Sequence, residues 1–111
     1  MLDETRENIV NGRICSRSIY LDDNRNLVIM LWIQGQMFST PYSIVFTSGN
    51  DAIPMEMLRR LLEVVGVNSF DGLFGQYVRV QTNGKAGAAG EILAIGNIMD
   101  EHWFRFEDFN E

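Results

Sequence analysis

Residues 62–80 read LEVVGVNSFDGLFGQYVRV. An apolar run stops at Gly66, a short polar link carries Phe70, and an alternating stretch follows with Arg79 between Val78 and Val80. The first half closes a helix expected over 51–66. Pro54, Met57, Leu58, Leu61, Leu62 and Val65 make one stripe at spacing three and four, with Glu56, Arg59, Arg60 and Glu63 mostly opposite. Asn50 or Asp51 suits the N-cap, and Pro54 falls in the first turn, where a missing N–H costs little. Gly66 can adopt the left-handed conformation that ends helices, and Val67 supplies the apolar residue after it. In QYVRVQT (76–82), Val78 and Val80 share one strand face, and Tyr77, Arg79 and Gln81 the other.

Upstream, the chain reads as a β-meander over 9–47. ICSRSIYL (14–21) leads into the polar cluster DDNRN, a suitable hairpin connection. LVIMLWIQ (27–34) is almost wholly apolar, as expected of a strand covered on both faces or lying in an interface. MFSTPYSIVFT (37–47) contains Pro41, which cannot donate to a ladder and so marks an edge or a bulge. Downstream, strands are expected within 76–108. EILAIGNIM (91–99) holds Gly96, a sign of a bulge or a close approach, and WFRFEDF sets Phe104 and Phe106 opposite Trp103 and Arg105. The fold class expected is α+β: one domain spanning 1–111, with a mostly antiparallel sheet of five or six strands and one main helix packed on one face.

The chain has 111 residues, is 46% hydrophobic and carries a net charge of −6, with 9 Lys and Arg against 15 Asp and Glu. That balance disfavours duplex nucleic acid, whose binding needs many phosphates neutralised. Cys15 stands alone, so no internal disulfide is expected. MLDETRENIVNGR lacks an apolar signal region, and Leu27–Ile33 is too short to cross a bilayer. A soluble intracellular protein is the expectation, without membrane association.

No cofactor or metal is expected. One His and one Cys cannot furnish a zinc site, and the acidic turns lack calcium-loop spacing. His102 reads as a solvated turn residue and Cys15 as a small apolar residue in a strand, so no catalytic site is expected. NGKAGAAGE (83–91) lacks phosphate-loop spacing and reads as a hairpin connection, with Lys85 at its tip. One set remains. If Val78, Val80, Phe104 and Phe106 face the helix, then Tyr77, Arg79, Trp103 and Arg105 emerge on the opposite sheet face. Aromatic rings and guanidinium planes stack on bases at about 1–3 kcal/mol per base, and Arg also pairs phosphate bidentately. Trp, Tyr and Arg are equally enriched at subunit interfaces, and ligand pockets often form there. Phe70, Tyr77, Arg79, Trp103 and Arg105 are the candidate ligand-binding residues, in a chain expected to be a homo-oligomer.

The stretches LLEVVGVNSFDGLFGQYVRV (61–80) and EILAIGNIMDEHWF (91–104) resemble a pattern in small phage and prophage proteins. There, a helix ending LEVVGV precedes an aromatic, an acidic residue, L-x-G and a VRV strand, and later an IGHI-x-x-x-WF ending. Phe70, Asp71, Leu73 and Gly75 fill the middle, and Asn97 stands where the pattern has His. LDDNRNLVIMLWIQGQMFSTPY (21–42) is similar to the family's apolar strand followed by GQGFGGY. Gly35, Gln36, Phe38 and Tyr42 match, whereas Ser39, Thr40 and Pro41 replace a glycine pair. The likeness covers about 75 residues. Small phage proteins of this size also resemble the anti-Thoeris sponges, which sequester cyclic ADP-ribose-type or cyclic oligonucleotide immune signals. That resemblance implies a non-enzymatic anti-defence protein binding a small cyclic nucleotide. No sponge ligand residue maps onto this chain individually. The alternative is an acidic interaction module that inhibits a host or defence protein.

Overall fold

The computed structural model describes residues 8–35, 42–84 and 91–109. Six strands form one sheet: β1 (Ile9–Leu21), β2 (Leu27–Gly35), β3 (Tyr42–Thr47), β4 (Tyr77–Thr82), β5 (Ile92–Asn97) and β6 (Trp103–Arg105). Every neighbouring pair is antiparallel, in the order β3-β2-β1-β4-β5-β6. Among the described residues one α-helix, α1 (Ala52–Val65), joins the β3 edge to β4 beside β1. Its path crosses one sheet face, where its apolar stripe is buried. This is the α+β arrangement expected from the sequence.

The core fills the gap between α1 and that face. Ile14, Ile29, Leu31, Ile33, Phe46, Leu61, Leu73, Val78, Val80, Ile95 and Phe104 are fully buried in it. Along α1, Pro54, Met57, Leu58 and Leu61 are buried as the spacing requires. Val64 joins them, while Leu62 and Val65 are only partly covered, so the buried stripe is turned toward Val64. Gly66 takes φ 91° and its N–H donates to the Leu62 carbonyl. The Val67 N–H donates to the same oxygen at 3.1 Å, the longer of the two bonds that close such helix ends. At the other end Asp51 occupies the cap position without capping. Its carboxylate accepts from the Leu27 N–H at 3.1 Å and ties the helix start to β2, while Asn50 Oδ1 accepts from the Ala52 N–H.

Three expectations change. The first strand, read over 14–21, runs from Ile9, where the meander was expected to begin, because residues 9–13 pair with β4, a partner 64 to 72 positions away that local propensity cannot signal. The last strand ends at Arg105, and Phe106–Phe109 form a 3-10 turn instead of a strand reaching 108. That turn packs Phe106 and Phe109 on Phe104, at centroid distances of 5.1 and 5.4 Å, and a continued strand would carry Phe109, five residues on, away from Phe104. Cys15 sits half-buried at a β-bulge between Ile14 and Ser16 rather than in the core. β3 is an edge strand, as proline nearby suggested; Pro41 itself, with Gln36, Phe38, Ser39 and Thr40, and residues 85–90 of the stretch read as a hairpin connection, Lys85 among them, lie outside the described residues.

Candidate functional site

The sheet face turned away from α1, here the outer face, follows from strand register. Gln34, Arg13 and Tyr77 stand opposite one another across β2, β1 and β4. The next row is Asn11, Arg79, Gly96 and Trp103, and the one after it Gln81, Ala94 and Arg105. Rows lie about 7 Å apart and strands about 5 Å apart, so these residues share one compact area. Tyr77, Arg79, Trp103 and Arg105 thus emerge together, as the alternation required, while Val78, Val80 and Phe104 are buried beneath.

Trp103 is the centre of the group. Its indole lies flat on Gly96, so close that a Cβ there would fall 2.8 Å from three ring carbons. The Arg79 guanidinium sits 4.9 Å from its centroid and that of Arg105 5.5 Å, so the ring is flanked by two cations. Arg105 also donates to Gln81 Oε1 at 3.0 Å.

Arg79 is committed further. It donates to the Asn97 carbonyl at 2.8 Å and the Asp100 carbonyl at 2.6 Å, and pairs with Glu101 at 2.9 Å. Its side chain is 22% exposed. Asn97 completes the lock on this β5–β6 turn. Its side-chain oxygen accepts from the Met99 and Asp100 N–H groups, and its Nδ2 donates to the Val64 carbonyl at the end of α1. Asn97, where the resembling pattern carries His, therefore joins turn to helix. Ile98 and Met99 are held out at the tip, Met99 85% exposed.

Phe70 does not join the set. It belongs to the link after α1 and packs against the core on the helix side. Arg17 lies 5.6 Å from its ring and 5.5 Å from that of Phe74, and pairs with Asp71 at 2.7 Å. An aromatic in a polar link carries no register, so sequence could not assign its side of the sheet.

Arg13 and Asn11 belong to the site instead. With Gly12, Gln34 and Tyr77 they line a cleft of about 160 Å³, and Tyr77 is 63% exposed at its wall. The signal for them was β1–β4 pairing, invisible in NGR (11–13) read alone.

Elsewhere on the outer face, Tyr20, Met30, Trp32 and Val45 form a mostly apolar half over β1–β3. Among the described residues no group of three His, Cys, Asp or Glu is placed to hold a metal ion, and no helix is long and apolar enough to cross a membrane. His102 is exposed in its turn. No protein-family model matches the chain, and no curated protein sequence matches it.

Proposed function

We propose that this is a non-enzymatic binding protein that sequesters a small nucleotide-type ligand on its outer face. In keeping with the phage-protein resemblance, it is an anti-defence sponge for a cyclic nucleotide signal in a bacterial host cytoplasm. One observation carries the reading: a chain of net charge −6 gathers Arg13, Arg79 and Arg105 with Tyr77 and Trp103 on one face. Rings that stack and guanidiniums that meet phosphate suit a nucleotide, and their close spacing suits one small molecule better than a polymer. Stacking contributes about 1–3 kcal/mol per base.

Isothermal titration with a panel of cyclic mono- and dinucleotides tests this, with ligand recovered chemically unchanged after the protein is denatured. Binding lost in Tyr77→Ala and Arg105→Ala supports it. No heat for any ligand, or unchanged binding in both variants, removes it.

Homo-oligomerisation is part of the same reading. The apolar half of the outer face adjoins the cleft through β2, where Trp32 lies two residues from Gln34. A second copy seated there would wall the site, as subunit contacts often do. Light scattering gives the mass: a multiple that falls to one chain in Trp32→Asp supports it, and a wild-type monomer refutes it.

A further inference from the structure

We infer that Arg13 is the oxyanion seat of the outer face, and that Arg79, the more conspicuous arginine, is not. The two guanidiniums lie in neighbouring rows of adjacent strands and differ in what already occupies them. Arg79 has two backbone carbonyls and a carboxylate within 3 Å, so its donors close the β5–β6 turn. Arg13 is half-buried, and its guanidinium makes no hydrogen bond or ion pair with any described residue. Its side chain runs past Tyr77 toward Gly75, where an added Cβ would lie 3.8 Å from Nη1.

A guanidinium carries five N–H donors in a fixed fork, and partial burial removes water that would otherwise satisfy them. Such a group gains most from a ligand that brings paired oxygens, as a phosphoryl group does. The other described residues lining the cleft are Asn11, Gly12, Gln34 and Tyr77, so among the described lining no carboxylate competes for the charge. The exposed Tyr77 ring stands opposite Arg13, placed to stack on a base while its phosphate sits on the arginine. The amide of Asn11 offers a donor and an acceptor to a sugar or base edge. At about 160 Å³ the cleft admits one phosphoryl group with its sugar or ring, and a longer ligand would extend over Trp103 in the neighbouring row.

The nucleotide part of this ligand follows from the function proposed above; the seat itself needs only a phosphoryl oxyanion. Titration of the full chain with inorganic pyrophosphate, ADP and adenosine separates the two. Wild type, Arg13→Gln, Arg13→Lys and Arg79→Gln are compared, with circular dichroism confirming the fold of each. The expected result is that ADP binds more tightly than adenosine. Arg13→Gln should weaken ADP or pyrophosphate by about tenfold or more, and Arg13→Lys should recover part of the loss. Arg79→Gln, if folded, should weaken either by less than Arg13→Gln. Pyrophosphate binding that depends on Arg13 supports the seat even if ADP and adenosine bind alike, an outcome that would count against the nucleotide reading alone. Nucleotide binding of equal strength in wild type and Arg13→Gln overturns the seat and leaves the nucleotide reading standing. Wild type that binds neither ADP nor pyrophosphate overturns both.

Discussion

Trp103 covers Gly96 as a lid, with a would-be Cβ only 2.8 Å from Cδ2, Cε3 and Cζ3 of the ring. Gly96→Ala must lift the indole from the sheet and break its stack between Arg79 and Arg105. Overpacking of this kind costs about 1–3 kcal/mol. A urea midpoint lowered accordingly, together with a shifted Trp emission, is expected; unchanged values of both would mean the ring has room to spare.

Arg79 closes the β5–β6 turn through the Asn97 and Asp100 carbonyls and Glu101. Arg79→Gln withdraws its donors from the Asn97 and Asp100 carbonyls and its charge from Glu101, at about 1–3 kcal/mol. Hydrogen exchange should accelerate at the Met99 and Asp100 amides, which bond to Asn97 Oδ1. Exchange that stays slow there while the rest of the sheet loosens would contradict this assignment.

Gly66 ends α1 at φ 91°, a conformation that costs a residue with Cβ about 1–2 kcal/mol. Gly66→Ala should lower the thermal midpoint without changing the outer face. A variant as stable as wild type would show that the helix end can rearrange.

Glu56 gives the clearest pH dependence. The hydrogen bond from Arg59 holds its carboxyl below the usual 4.5. A depressed carboxylate stabilises the fold above its unfolded value, and that contribution fades as pH falls through the lower folded value. Wild type should therefore exceed Glu56→Gln in stability near neutral pH, and the gap should close as pH drops below about 4.5. Because both groups are exposed the gap is small and shrinks in salt. A gap that widens on acidification would contradict the pairing.

Sequence carried the helix, its glycine stop and the two faces of β4, since each depends on periodicity or on one residue's backbone freedom. It also placed Tyr77, Arg79, Trp103 and Arg105 together, because alternation assigns faces without coordinates. It could not place Phe70, which lies in a link without period, nor Arg13, which becomes part of the site only through pairing with a distant strand. Nor could alternation distinguish an arginine consumed by a turn from one left unpartnered. WFRFEDF alternates as a strand would, yet packing of Phe106 and Phe109 on Phe104 overrides that pattern after three residues.

Both tryptophans of the chain, Trp32 and Trp103, lie on the outer face, so their indole N–H signals report on it directly. Titrating 15N-labelled protein with cyclic nucleotides while recording amide and indole shifts is the most direct test of ligand binding there. The account predicts movement of the Trp103 indole and of the Arg13 and Tyr77 amides, with Phe70 and Arg17 unmoved. Shifts confined to Phe70, Arg17 and α1, or none with any ligand, would contradict it.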